Sequence, residues 1–353
     1  MSGIPEPGSA AHAPRPTAKG LDRIFRAMLF IVPLGVLGNI LFSLAITDRS
    51  LLMSLRDFPR GYLVVAISLS LVPWLTNSLR LMIWTDFLDH RISFRDAFQI
   101  TLAMDLGAAV SPTAVGGSLF KWGMLVQRGI RPGAAASITT LPTIEDGVFF
   151  AIALPLAIYF SGSWNLPIFR DLLDQFEHNA LPVLLIAGAI AAVTWLAVRL
   201  ILGGGLGTRT QRRSLRLVGR VRRKLRATWT DARQVFQLIA RGGKSRFALS
   251  FLLTAAQWIA RYSVISALVA FLGAPVQPVL FWVLQYVVFS LMALIPTPGA
   301  AGGAEASFYF IYSAFLPEAV TGLATAGWRF LTFYLQLGLA AIIFFLMRAR
   351  EGR

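Results

Sequence analysis

The stretch SPTAVGG at residues 111–117 and the stretch PTPGAAGG at residues 296–303 each interrupt an apolar segment of the chain. The first break separates residues 96–110 from residues 117–127, and the second leaves halves that are similarly short. As helices, the two halves around the first break would measure about 22 and 16 Å, against a hydrocarbon core of about 30 Å. Non-helical backbone at that depth is tolerated only where it is buried in protein or lines a polar cavity. The breaks therefore predict two re-entrant helical hairpins, although a single kinked span is the alternative for either break alone.

The composition is that of a polytopic membrane protein with an all-α fold. The chain has 353 residues, of which 56% are hydrophobic and 14% are charged, and its mean hydropathy is +0.65. Six apolar runs are long enough to span a bilayer: residues 27–47, 61–84, 134–160, 181–202, 247–272 and 324–347. The chain has no cysteine, and its three histidines are far apart in sequence. We therefore predict about six full spans and two hairpins, with neither a metal site nor a cofactor.

The charge distribution predicts the topology. Residues 203–246 hold 13 of the 33 lysines and arginines with one acidic residue, whereas 161–180 is acidic. By the positive-inside rule, both termini and the basic segment are expected to lie in the cytoplasm. Hairpin 96–127 then enters from the cytoplasm and hairpin 280–316 from outside.

Two membrane halves follow from this topology. A disordered cytoplasmic tail (1–22) precedes the first half (23–202), and the basic segment (203–246) separates it from the second half (247–347) and a short tail (348–353). The halves are related by inversion, as expected when a transport site forms near the midplane between two repeats.

The basic segment has apolar residues at helical spacing across 213–240. That pattern suits an amphipathic helix lying among anionic lipid head groups, and an ordinary basic loop is an equal alternative. Nucleic-acid binding is not favoured, because no recognisable nucleic-acid-binding module accompanies the basic run.

Charged residues inside apolar segments are costly in a membrane, so each is a functional hypothesis. They are Asp105, Lys121, Glu145, Asp146, Arg261, Glu305 and Arg329, with Arg80 expected closer to an interface. Lys121 lies one turn after the first break, where it could bind a lipid phosphate beside the positive end of the half-helix that begins near Gly117. Snorkelling to the head groups is the alternative for this lysine.

Glu305 follows the second break in the same way. It can bind a proton or cation, pair with Arg261 or Arg329, or cap its own helix. The arginine that does not pair with Glu305 would remain for an anionic head group.

The other ionisable groups have more ordinary expectations. Glu145 and Asp146 are adjacent, so on a helix they point about 100° apart and are not expected to face one partner. Either acid could pair with Lys121 or belong to a proton relay. For Asp105 we expect a buried hydrogen bond within its own hairpin. Three glutamines are expected to make interhelical contacts: Gln257, Gln285 and Gln336.

The second break resembles the PxPGxxGxxE signature of the flippase-like family that includes the membrane domain of lysylphosphatidylglycerol synthase. The matching positions are Pro296, Pro298, Gly299, Gly302 and Glu305. The first break is similar to the family's Pro and Gly-Gly turn followed by a basic residue, and residues 144–146 look like its Glu-Arg element. Ser118 and Asp146 depart from that pattern, since the family often has Glu and Arg there. The chain also ends without the synthase's soluble transferase domain, so the resemblance implies a stand-alone lipid translocator.

The hypothesis is a transporter that moves a polar-headed or anionic lipid between leaflets. The lipids implied by the resemblance are anionic or aminoacylated phospholipids, polyprenyl-linked sugars and hopanoids. Eight residues are assigned to substrate binding: Gly116, Gly117, Ser118, Lys121, Arg261, Pro298, Gly299 and Arg329. Four are assigned to gating or proton coupling: Asp105, Glu145, Asp146 and Glu305.

No sequence motif of a catalytic site or an ATPase is present. A lipid-modifying transferase and a non-catalytic membrane partner of a lipid or cell-envelope synthase remain as alternatives, and homo-oligomerisation stays open.

Overall fold

The computed structural model describes residues 59–111, 115–165 and 242–351 except Leu294 and Pro296, together with positions 233, 237 and 240. Several predicted elements lie outside the described residues: the span 27–47, the span 181–202, the terminal tails up to 22 and beyond 351, and nearly all of the basic segment.

The described residues fold into helices without a strand. In chain order they are α1 (Arg60–Phe87), α2 (Phe94–Val110), α3 (Val115–Gln127), α4 (Pro132–Ser161), α5 (Lys244–Phe271), α6 (Pro278–Ala293), α7 (Gly303–Tyr312), α8 (Glu318–Arg329) and α9 (Leu335–Glu351). A π-helical turn (Phe330–Tyr334) joins α8 to α9, so residues 318–349 form one apolar helix of 32 residues. With α1, α4 and α5, this gives 4 helices among the described residues that are long and apolar enough to cross a membrane.

The helix ends follow local sequence signals. The Ser93 hydroxyl accepts a hydrogen bond from the Asp96 backbone N–H at the start of α2, which satisfies one of the unpaired donors there. Pro132 occupies the first turn of α4, where its missing N–H costs nothing. The same helix ends at Gly162, whose φ of 65° is the left-handed conformation that glycine adopts freely.

Helices α1 and α5 pack side by side and run antiparallel at the centre of the bundle. Thr76 contacts Gln257, and Trp84 contacts Ser250. Residue numbers therefore rise along α1 in the direction in which they fall along α5. Small side chains at Ala66, Ser70 and Ala260 are fully or almost fully buried and let the two helices approach. This pair joins the two halves of the chain.

Helices α2 and α3 form a tight antiparallel hairpin. At its open end, an Arg128 Nη2–Asp96 Oδ1 ion pair of 3.1 Å links the last turn of α3 to the first turn of α2. Nearer the break, a Cβ added at Gly116 would lie 2.6 Å from the Gly107 carbonyl oxygen, and one at Gly117 would lie 2.6 Å from that of Met104. Glycine is therefore required where the two backbones touch.

Helices α6 and α7 form the second hairpin. The Tyr312 hydroxyl donates to the Phe281 carbonyl oxygen at 2.9 Å and accepts from the Gln285 amide at 3.0 Å. The rings of Phe308 and Tyr312 stack at 4.2 Å between centroids, and Trp328 of α8 packs on the other side of Phe308 at 4.7 Å. These contacts bury α7 against α6 and α8.

The two hairpins open toward opposite ends of the bundle. Arg246 at the start of α5 pairs with Asp86 at the end of α1, and Arg95 of α2 donates to the Met347 carbonyl of α9. The open end of α2–α3 therefore lies at this charged end. Helix α6 begins only a short turn after the far end of α5, so the open end of α6–α7 lies at the other.

The close backbone contact in the first hairpin gives a stability prediction. Gly117→Ala places a methyl group against a backbone carbonyl that cannot rotate away. We expect a loss of about 1–3 kcal/mol, which a fall in the melting temperature of the detergent-solubilised protein would report. Gly123→Ala, also in α3 but with nothing within 4 Å of the new methyl group, is the matched control and should leave stability unchanged or raised. Equal melting temperatures for the two variants would contradict the close approach.

Candidate functional site

A cavity of about 350 Å³ lies where the two sequence breaks meet. The end of α2 from Asp105 to Ser111 forms one side, and the second break from Thr297 to Ala300 forms another. Its apolar wall comes from Phe289, Met292, Ala293, Ile295, Phe333 and Leu337. A concave, mainly apolar space with a few convergent polar groups is typical of a small-molecule site.

Arg261 supplies an unpaired positive charge to this cavity. Its guanidinium lies 5.1 Å from the ring centroid of Phe289 and 5.8 Å from that of Trp258, both of them cation–π distances. Within the described part of the chain, no carboxylate lies within 4.0 Å of it. The group is therefore held in place by aromatic rings while its hydrogen-bond donors remain available to a ligand.

Asp105 supplies a carboxyl group to the same cavity. Its Oδ2 atom accepts a hydrogen bond of 2.7 Å from the indole N–H of Trp74 on α1. The expectation of a partner within the hairpin is therefore wrong, because the bond crosses from α2 to α1. It uses one carboxyl oxygen and so leaves the other for a ligand.

Arg329 and Glu305 hold the second break in shape. The Nε atom of Arg329 donates to Glu305 Oε1 at 2.9 Å, and its Nη2 atom donates to the Gly299 carbonyl oxygen. The Gly302 backbone N–H donates to Glu305 Oε2 at 2.9 Å, which caps α7. Glu305 thus combines two of its three expected roles, and the structure identifies Arg329 rather than Arg261 as its partner.

The backbone of the second break has an unusual conformation. Gly299, Ala300 and Gly302 have φ angles of 60°, 53° and 79°. A Cβ at Gly299 would lie 2.3 Å from the ring of Phe333, which itself packs under Arg329 at 4.2 Å. Positive φ and close aromatic contact together explain why glycine occupies this position. The structure places the Gly299 backbone at the cavity wall.

A second charged cluster lies between α1, α4 and α5. Arg80 and Glu145 are 2% and 0% exposed, and the Arg80 Nε atom donates to Glu145 Oε2 at 3.0 Å. The other Glu145 oxygen accepts from the Trp84 indole at 3.2 Å, and Arg80 Nη1 donates to Gln257 at 3.1 Å. Multiple hydrogen bonds of this kind are what makes a buried ion pair tolerable.

Two expectations about this cluster are corrected. Arg80 is expected from the sequence to lie near the membrane–water interface, but in the structure it is buried inside the helix bundle as the partner of Glu145. Asp146 lies 3.7 Å from Arg80 Nη2, so both neighbouring acids do face one partner. Both acids contact the same Nη2 atom of Arg80, Glu145 at hydrogen-bond distance and Asp146 at a longer one. The Trp258 indole also donates to Asp146 at 2.9 Å.

The residues that follow the first break do not line the cavity. Lys121 is 8% exposed and interacts electrostatically with Arg80, Glu145 and Asp146. No carboxylate of the described residues lies within 4.0 Å of its ammonium group. Ser118 is exposed on α3, and Gly117 is occupied in packing the hairpin. Of the predicted binding residues whose side chains the structure describes, Arg261, Gly299 and Arg329 line the cavity, and the side chain of Pro298 lies outside that description.

Interhelical glutamines behave as expected. Besides the Gln257 contact with Arg80, Gln285 bridges Trp328 and Tyr312, and Gln336 donates to the Ser70 carbonyl at 2.7 Å. Sequence analysis missed Trp74 and Phe333, although an indole N–H inside an apolar run is a sign of a buried acceptor. In the described part of the chain, no group of three His, Asp or Glu residues could hold a metal ion.

Two comparisons with known proteins agree with this architecture. The family model described as the lysylphosphatidylglycerol synthase TM region matches residues 27–340. A UPF0104 membrane protein of Archaeoglobus fulgidus is 27% identical over 290 residues, which cover 79% of this chain and 84% of the relative. The family match covers most of the chain, and the chain therefore belongs to that family.

The buried Arg80–Glu145 pair gives a second prediction. Glu145→Gln leaves Arg80 charged and only partly compensated, so we expect a loss of about 3–5 kcal/mol in unfolding free energy. Adding Arg80→Gln should cost much less in this variant than in the wild type, because the uncompensated charge is then gone. Chemical unfolding of all four proteins in detergent measures the coupling. If the losses of unfolding free energy in the two single variants add up to the loss in the double variant, the two side chains do not interact. The exposed Asp86–Arg91 pair is the control: the same four measurements on it should give a coupling energy below about 1 kcal/mol.

Proposed function

We propose that this member of the lysylphosphatidylglycerol synthase TM region family is a lipid translocator, which moves a polar-headed lipid between the leaflets of the bacterial inner membrane. The head group would occupy the cavity between the two breaks, while the acyl chains remain in the bilayer. The protein would act as a transporter rather than as an enzyme.

One observation carries this proposal: the cavity joins the two sequence breaks and contains a guanidinium without a carboxylate partner among the described residues. Arg261 can bind a phosphate oxygen with charge-assisted hydrogen bonds, which are the strong ones in a low-dielectric site. The apolar wall formed by Phe289, Met292 and Phe333 suits the glycerol and first acyl carbons of a lipid. A cavity lined only by apolar residues would offer the head group nothing.

In this proposal the two hairpins are re-entrant and related by inversion. Their open ends lie at opposite ends of the bundle, and α2 and α6 are 17 and 16 residues long, shorter than the roughly 20 residues of a full span. By the positive-inside rule, the charged end of the bundle would lie in the cytoplasm together with both termini. Broken helices that meet near the midplane are the arrangement expected of a substrate site between inverted repeats.

The charged residues would then have separate roles. In this proposal Arg261 binds the head group, and Arg329 and Glu305 maintain the conformation of the second break. When the first hairpin moves, Lys121 replaces Arg80 as the cationic partner of Asp146. A lipid gradient, the membrane potential or protons would drive net movement. Anionic phospholipids, aminoacylated phospholipids, polyprenyl-linked sugars and hopanoids are the candidate substrates, and a lipid synthase or a second copy could be a partner.

A flipping assay with a matched pair of arginine variants tests the proposal. Purified protein is reconstituted with a phospholipid labelled on its acyl chain, and dithionite quenching reports label that reaches the outer leaflet. Arg261→Gln should reduce the rate at least about ten-fold, because a charged hydrogen bond of about 1.5–3 kcal/mol is lost. Arg91→Gln removes the same charge at an exposed position, 89% accessible, and should leave the rate unchanged.

Two results would reject the proposal. Flipping at the rate of protein-free vesicles would exclude translocation of that lipid, and equal rates for the two variants would exclude Arg261 as the head-group ligand. Mass spectrometry of the vesicle lipids in the same samples tests the transferase alternative, which requires a change in lipid mass.

A further inference from the structure

The cavity holds a carboxyl group and a guanidinium that do not pair with each other. Asp105 and Arg261 both line it and interact electrostatically, yet their atoms are more than the 4.0 Å of an ion pair apart. Each is instead held from behind by aromatic groups: Trp74 donates to the Asp105 carboxyl, and Phe289 packs against the Arg261 guanidinium. Two opposite charges kept apart across a shared space are arranged for a ligand that bridges them.

We infer that the cavity selects a zwitterionic head group with one phosphate and one amine. The phosphate would bind the Arg261 guanidinium, and the ammonium would bind the free oxygen of Asp105. This inference rests on the proposed function and narrows its substrate class.

Charge balance separates the candidate head groups. Arg329 also lines the cavity, but Glu305 neutralises it, so the unpaired charges of the described lining are one guanidinium and one carboxyl group. A purely anionic head would satisfy Arg261 but give the Asp105 carboxyl no cationic partner, so the buried group would stay uncompensated or take up a proton. A head group with two amines would bring a second cation, and the described lining has no second carboxyl group to pair with it. An uncharged sugar head would leave both groups unpaired.

The cavity is also the right size for a compact head. Its volume of about 350 Å³ is at the small end of ligand pockets, which cover roughly 300–1,000 Å³. Asp105 and Arg261 are among its lining residues, and Phe333 and Leu337 belong to its apolar wall. In the inferred complex, a phosphate and an amine separated by two carbons bridge the carboxyl group and the guanidinium.

Two lipids and two matched carboxylate variants test the inference. Acyl-labelled phosphatidylethanolamine and phosphatidylglycerol share a phosphate and differ in the amine. The wild type should bind and flip the ethanolamine lipid about ten-fold better than the glycerol lipid. The reason is that a buried polar group left without its partner lowers the affinity by about a factor of ten or more. Asp105→Asn should bring the ratio of the two lipids close to one. Asp89→Asn is the control: Asp89 is exposed and has a φ of 57°, which asparagine tolerates, so the ratio should not change.

Binding is measured separately by native mass spectrometry of the detergent-solubilised protein, so that the two proposals can fail independently. A lipid preference that depends on Asp105, without flipping, would overturn the transport function but support the zwitterion site. Equal binding of both lipids by the wild type, or a preference that survives Asp105→Asn, would overturn the inference alone. Soluble glycerophosphoethanolamine tests the source of the ligand, because competition as strong as that of the lipid would exclude a lipid substrate.

Discussion

The structure depends on the requirement that backbone polar groups have partners where the chain is not helical and water is scarce. At the second break the α-helical path is interrupted between Ala293, where α6 ends, and Gly303, where α7 begins, so backbone N–H and C=O groups there need other partners. Arg329 and Glu305 supply the replacement, one by donating to the Gly299 carbonyl and the other by accepting from the Gly302 N–H. Because the two side chains also neutralise each other, the break is stabilised without adding net charge to the bundle. The open cavity beside it is a consequence of this arrangement.

The two halves use related but different ion pairs. In the first, Arg80 reaches from α1 to Glu145 on α4, and in the second, Arg329 reaches from α8 to Glu305 on α7. The second arginine contacts the backbone of its break, and the first pair is buried among helices and bonded to Gln257, Trp84 and Thr254. Both pairs therefore connect two helices, and the second pair also fixes the loop of its break.

Much of the architecture could be predicted from sequence, and the side-chain partners could not. Segment lengths and the positions of Gly and Pro predicted where helices stop, and α2 and α3 end and begin within two residues of the predicted break. Pairing was harder because it depends on which helix faces lie together. The bond from Trp74 to Asp105 joins residues 31 apart, and that from Arg80 to Glu145 joins residues 65 apart. No local spacing encodes such contacts. The sequence alone therefore does not show that Arg80 is buried inside the bundle, or whether Arg261 or Arg329 pairs with Glu305. Lys121 lies away from the cavity, and no carboxylate of the described residues lies within 4.0 Å of its ammonium group, so its place after the break did not predict its contacts.

The π-helical turn between α8 and α9 sets the rotational phase of the last helix. The Leu335 N–H bonds to the Phe330 carbonyl, so this turn holds one residue more than an α-helical turn. Upstream of it Arg329 faces Glu305, and downstream Gln336 faces the Ser70 carbonyl of α1. Removing one residue from the turn would rotate one side relative to the other by about 100°, so both contacts could not form together. The extra residue thus lets one continuous helix make contacts in two different directions. The number of residues in this turn is therefore more tightly constrained than the identity of its exposed side chains.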